Sequence, residues 1–228
     1  MLRMPLFLPM LRSALAVAVV AGLLAGCARQ EERVTQRPGS AAQASVQSAE
    51  TRICLADLAQ TGSTFRLLPD RDFGAGCEQR GVVQLDGVAG DAARIALTNL
   101  GPVTCPLADK AIGWARFGVD RAARQILGNG LAQIETFGSY SCRNVAGSSR
   151  RSAHSRANAI DVAAFVLTDG RRISVKDDWH EGSSEERRFL RIVHDSACKR
   201  FGTVLGPEYN AAHRDHLHLE MSGNAFCR

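Results

Sequence analysis

The chain has 228 residues, 45% of them hydrophobic and 22% charged, with a net charge of +5. That length suits one domain with a real core, and the composition excludes a disordered chain. The charge is mild, the Lys and Arg are scattered and aromatics are only 6%, so nothing points to nucleic-acid binding.

The first predicted element is an export signal. Arg3 and Arg12 supply a basic start, and Ser13 to Leu24 is an apolar run too short for a comfortable membrane span. It leads into Leu24-Ala25-Gly26-Cys27, which resembles the lipobox of bacterial lipoproteins. That resemblance implies a signal peptide over residues 1–26, lipidation at Cys27 and a lipid-anchored chain on the periplasmic side of the envelope. Ala28 follows where an Asp would suggest retention in the inner membrane, so the outer membrane is the expected destination. The rival is a plain signal peptide with a chance cysteine. Removing a leader that holds Arg3 and Arg12 brings the charge to +3, from 5 − 2.

The cysteine count agrees with export. Of seven cysteines, Cys27 as an anchor leaves an even set, Cys54, Cys77, Cys105, Cys142, Cys198 and Cys227. In an oxidising compartment these read as disulfides. The sequence does not choose the pairing; nearest neighbours (Cys54–Cys77, Cys105–Cys142, Cys198–Cys227) are the working expectation. A cysteine metal cluster is disfavoured because no C-x-x-C occurs.

Residues 27–50 are rich in Gln, Ser, Ala and charge, which predicts a flexible tether, with a folded domain over 51–228. Residues 52–100 read as short strands and turns, including GVVQLDGV and ARIALTNL. Apolar residues at three- and four-residue spacing predict a helix from about Pro106 to Leu127, ended by Gly128. LAQIETF and AIDVAAFVL are predicted strands, and RRISV pairs with the latter across an Asp169-Gly170 turn. A second helix is marked by the capping-box spacing of Ser183 and Glu186, with Phe189, Leu190, Val193, Ala197 and Phe201 on its buried face. HLHLEM is the last strand. The order predicts an α+β fold with an antiparallel sheet and flanking helices. The absence of a Gly-rich phosphate loop between strand and helix argues against a nucleotide.

Two stretches carry candidate chemistry. In HRDHLHLE, strand alternation puts His216 and His218 on one face and Leu217 and Leu219 on the other. Two imidazoles on one face can hold a transition metal, though exposed polar alternation explains the pattern as well. In SAHSRANAID, Asp161 lies inside an apolar run, where a carboxylate is costly to bury unless paired, hydrogen-bonded or bound to a cation.

SAHSRANAID resembles the S-x-H-x-x-G-x-A-x-D motif of the LAS-type zinc peptidases, which include D-alanyl-D-alanine carboxypeptidases. Ser152, His154, Ala159 and Asp161 match, and Ala157 stands where that group has Gly. The wider span, from Cys54 through GSYSCRN, SAHSRANAIDV and ACKRFGTVLGPEYN to HRDHLHLE, resembles the bacterial extensin-like C-terminal domain family. The metal motif implies Zn2+ bound by His154, Asp161 and His218, three ligands that leave one position open as in catalytic zinc sites. It further implies Asp215 as general base and Arg143 as the group that holds the oxyanion or a substrate carboxylate. His216, on the face of His218, is expected to orient the site or to touch the tetrahedral intermediate. Because Asp215 and His218 would face opposite ways in a regular strand, Asp215 is expected in the turn before it. KDDWH offers a rival third ligand in His180, with Asp177 before it, but polar EGSSEE follows where a strand should continue. His194 and His213 are expected to be structural and peripheral.

The expected function is an envelope-anchored zinc peptidase or amidase acting on peptidoglycan stem peptides. The alternatives are a non-catalytic peptidoglycan-binding lipoprotein that keeps the fold, and metal storage through the histidines.

Overall fold

The computed structural model describes residues 48–223 and 225–228. The signal peptide, Cys27 and all but the last residues of the expected tether lie outside them. The first element is a helix, α1 (Ala49–Gln60), with the Ser48 side chain accepting from the Thr51 N–H at its start. It replaces the end of the tether and the strands and turns expected from residue 52. Its apolar pattern is weak, since among its residues only Leu58 is buried and Ile53 is 64% exposed. A helix held by tertiary docking rather than by an amphipathic stripe leaves little periodicity to read.

Six strands follow: β1 (Thr64–Leu67), β2 (Arg71–Gly74), β3 (Cys77–Gln79), β4 (Val82–Ala89), β5 (Arg94–Thr98) and β6 (Pro102–Thr104). Helix α2 (Cys105–Trp114) has Pro106 in its first turn, where a missing N–H costs nothing. It runs on as π-helical turns, Ala115–Asp120 and Ala123–Leu127, and stops at Gly128, whose φ of 74° is left-handed. Then come β7 (Leu131–Gly138), β8 (Ala159–Leu167), β9 (Arg172–Ser174), α3 (Val175–Glu181), α4 (Ser184–Cys198), β10 (Thr203–Leu205), β11 (Leu217–Glu220) and β12 (Phe226–Cys227). The predicted capping box of α4 is present, with Ser183 and Glu186 bonding each other's backbone N–H.

The main sheet runs β1-β4-β5-β7-β8-β11-β10-β12, with β6 beside β4 and β9 beside β8; β2 and β3 form a separate ribbon. It is mixed, not antiparallel as expected: β5 pairs parallel with β7, and β10 with β12. The reason for the first is that a parallel pair needs a long crossover, and α2 with its π-helical continuation is that crossover.

One core joins sheet and helices. Trp114 sets its ring edge-on to Phe165 and Phe201, and Phe165 meets Phe189. Strand β8 is buried along nearly its whole length, as its continuous apolar run requires.

Three disulfides staple the domain: Cys54–Cys105, Cys77–Cys142 and Cys198–Cys227. Nearest-neighbour pairing therefore holds only for the last. Docking of α1 on the start of α2 brings Cys54 to Cys105, with Cα atoms 6.1 Å apart. The β3 ribbon reaches Cys142, 5.5 Å from Cys77. Sequence distance was the wrong guide because the tertiary fold sets which Cα atoms come within bridging range.

Candidate metal centre

Two neighbouring strands and one tight turn position the central residues. Strands β8 and β11 pair antiparallel, and their register sets His218 directly opposite Asp161, with Leu217 opposite Val162 and Leu219 opposite Ile160. Directly paired residues share a face, so the leucines, both fully buried, fix the strand while His218 meets Asp161. His154 sits on a 3-10 turn, Ala153–Arg156, begun by Ser152, whose hydroxyl accepts from the His154 N–H. Ala157 ends the turn at φ 54°, the left-handed region that favours glycine. Alanine takes up this conformation at a cost of about 1–2 kcal/mol, held by its N–H donating to the His154 carbonyl at 3.1 Å.

The side chains converge. His154 Nε2 is 3.2 Å from His218 Nδ1 and 3.2 Å from Asp161 Oδ2, and His218 Nδ1 is 2.9 Å from Asp161 Oδ1. All three residues are buried. Tetrahedral ligands about 2.0–2.1 Å from a zinc lie about 3.3 Å from one another, so these separations suit a small divalent cation.

The outer partners set the tautomers. His154 Nδ1–H donates to the Ser139 carbonyl at 2.5 Å, which leaves a lone pair on the inward Nε2. His218 Nε2–H donates to Glu220 Oε2 at 3.2 Å, and its inward atom is Nδ1. Two imidazole lone pairs and a carboxylate facing each other have no donor among them, so a proton or a cation must lie between. Burial disfavours charge on His218, but its hydrogen bonds to Asp161 and Glu220 outweigh this and push its pKa up to about 9. Burial likewise tends to raise Asp161, while hydrogen bonds with His154 and His218 hold the carboxyl well below the usual carboxylate range. A metal ion would take the position of the His218 Nδ1 proton.

Around this group lies an open cleft of about 520 Å³. Asp215 is in the turn that precedes β11, as its spacing required. Its Oδ1 accepts from His216 Nδ1–H at 2.9 Å, and His216 Nε2 points to Asp161 Oδ1 at 3.5 Å. His216, not Asp215, thus stands nearest the three central residues. Arg143 brings Nη2 to 3.6 Å from Asp161 Oδ2. His213 is part of the cleft wall rather than peripheral, with its ring 5.2 Å from that of His216. Burial, then the charges of His216 and His218, lower its pKa to about 4.

Asp177 and His180 are exposed on α3, a helix where the rival reading needed a strand. His194 Nε2–H donates to the Arg228 carbonyl and its ring abuts Trp179, in keeping with a structural role. Its grouping with Cys198 and Cys227 is closed by their disulfide. Sequence reasoning missed Ser139 and Glu220. Alternation through HLHLE puts Glu220 on the face of His216 and His218 and could have found it; the Ser139 carbonyl has no side-chain signal.

Among the described residues no helix is long and apolar enough to cross a membrane. No curated protein and no solved structure gives a match. The profile of the family described as extensin-like protein C-terminus matches residues 52–228, the whole folded region after the first turn of α1, and the chain belongs to that family.

Proposed function

We propose that the domain is a zinc-dependent peptidase or amidase that cleaves peptidoglycan stem peptides, with a fold core of the LAS type. The observation that carries this reading is the convergence of His154, Asp161 and His218 beside an open cleft that also holds His216 and Arg143. Zinc, when bound, supplies Lewis acidity toward a water molecule and the scissile carbonyl. The chain's own residues do the rest. With Nδ1–H given to Asp215, His216 keeps a lone pair on Nε2, and takes a proton from the attacking water and returns it to the leaving amine. Asp215 is the partner that orients this histidine and stabilises its charged form. Arg143, on the cleft side of Asp161, holds negative charge that develops on the carbonyl oxygen. The Ser139 carbonyl and Glu220 fix the rings of His154 and His218.

The N-terminal sequence supports the proposed substrate and place. A signal peptide over residues 1–26, cut before Cys27, would leave a lipid on Cys27 and the domain on a short tether in the periplasm, at the outer membrane and within reach of peptidoglycan. The test is digestion of purified muropeptides by the zinc-loaded chain and by His154→Ala. Stem-peptide products from the first alone support the proposal. Identical profiles refute it, and sacculus binding without cleavage would identify a non-catalytic anchor instead.

A further inference from the structure

Residues 143–152 form a short hairpin beside the centre. Ser152 N–H donates to the Arg143 carbonyl at 3.1 Å, Val145 N–H to the Arg150 carbonyl at 2.9 Å, and Asn144 bridges Arg151. The facing pairs are therefore 143/152, 144/151 and 145/150. Side chains alternate along such a ladder, so Arg143, Val145, Arg150 and Ser152 share one face, and all four line the cleft. Arg151, on the other face, donates to the Ala75 carbonyl and to Asn144 Oδ1. The Cys77–Cys142 disulfide pins the hairpin's base to the same ribbon. One face is thus tied down and the other presents two guanidinium groups to the cleft.

Arg143 and Arg150 are diagonal neighbours, about 7–8 Å apart at the backbone. Two guanidinium groups so placed can share an anion between them. Arg143 is 3.6 Å from Asp161, whose carboxylate is already engaged by His154 and His218. Among the described residues Arg150 has no carboxylate within ion-pair distance, although its charge is felt by Glu220. The hairpin thus holds out a cation that has no ion-pair partner among the described residues.

We propose that Arg150 is a specificity-determining residue that binds a free carboxylate on the substrate, next to the position Arg143 serves, so that the cleft selects acidic peptides. This rests on the reading of the cleft as a peptide site. A carboxylate suits because guanidinium meets it with two parallel hydrogen bonds, and the stapled hairpin fixes the backbone that carries Arg150 before the ligand arrives. The carboxylate is either the C-terminus of the peptide or that of an acidic residue within it, and the two are separable by experiment.

The probe is N-acetylated Ala-Glu-Lys-Ala, with D-configuration at Glu and the final Ala, in three forms: unmodified, C-terminal amide, and amide at the Glu carboxylate. Binding to the full-length chain is measured by calorimetry with chelator present, so that it is read apart from turnover. One amide should bind about five- to tenfold more weakly than the unmodified peptide, as expected for loss of one half-exposed charged hydrogen bond. Arg150→Gln should weaken the unmodified peptide by the same factor and erase the difference, and Arg150→Lys should restore part of it. Equal binding of all three forms by the unaltered chain, no binding of any, or a difference that survives Arg150→Gln overturns the inference. The comparison among peptides on the unaltered chain stands even if Arg150→Gln fails to fold. Cleavage by the zinc-loaded chain is scored separately. Carboxylate-selective binding without cleavage overturns the peptidase reading alone, and cleavage without selectivity overturns this inference alone.

Discussion

Removing the Glu220 carboxylate should weaken zinc binding without unfolding the domain. Glu220 ends β11, and its side chain accepts the Nε2–H of His218 at 3.2 Å, the long end of the hydrogen-bond range. The side chain is 24% exposed, so water can replace it in part. Loss of such an outer partner costs about 10–100-fold in metal affinity; the long, half-wet contact places Glu220→Ala at about tenfold, or ~1.4 kcal/mol. Glu220→Gln keeps a neutral acceptor and should lose about half that free energy, since charge-assisted hydrogen bonds are roughly twice as strong as neutral ones. The backbone pairing of Glu220 with Ala159 and its carbonyl bond from Gly202 N–H are untouched, so the domain should stay folded, with the thermal midpoint lowered by only a few degrees through the lost bond to His218. A competition titration against a chromophoric chelator gives the affinities. Unchanged affinity in Glu220→Ala would show that the carboxylate does not act on the centre. Complete loss of binding would show that it ligates directly, and either result refutes the reasoning.

The raised pKa of His218 has opposite consequences with and without metal. A histidine raised to about 9 contributes stability that is full below its unfolded value near 6.5 and is lost as pH rises through 9. The chelated protein should therefore lose about 3 kcal/mol, or roughly 6–12 °C in Tm, between pH 6 and 10, read by calorimetry. Zinc must displace the same proton, so its affinity should rise about tenfold per pH unit from 6.5 toward 9; a flat profile would contradict the assignment. Non-reducing peptide maps should show Cys54 joined to Cys105 and Cys77 to Cys142, and Cys54→Ser with Cys105→Ser should cost about 4 kcal/mol in denaturant unfolding. Gly202→Ala should destabilise by about 3 kcal/mol, because its Cβ would lie 2.1 Å from the Ser222 carbonyl oxygen, which cannot rotate away.

The parts of the fold legible in the sequence were those whose signal is local. The alternation of HLHLE, the continuous apolar run of β8, the Asp169-Gly170 turn and the Ser183–Glu186 capping box each depend on neighbours a few residues away. Helix α1 was hidden because its stability comes from docking on α2, and the disulfides because Cys54 meets Cys105 only once that docking has occurred. The parallel β5–β7 pair is a choice of sheet order, which no short pattern encodes. At the centre, the grouping of His154, Asp161 and His218 was reached by resemblance to a motif; the residues themselves gave only a costly buried Asp and a two-histidine face. The order of Asp215 and His216 was legible only in part. Spacing placed Asp215 in the turn, yet the rotamers that put His216 between it and the centre are set by packing.

His154, Asp161 and His218 are the proposed metal ligands, and the proposed chemistry depends on them first. The measurement is the zinc content of the purified full-length chain after loading and exhaustive dialysis. One zinc per chain is predicted, lost in His154→Ala and in His218→Ala but kept in His216→Ala, since the proposed ligands are His154, Asp161 and His218 and His216 only faces them. Sub-stoichiometric zinc in the unaltered chain, or a loss in His216→Ala equal to that in His218→Ala, would contradict it.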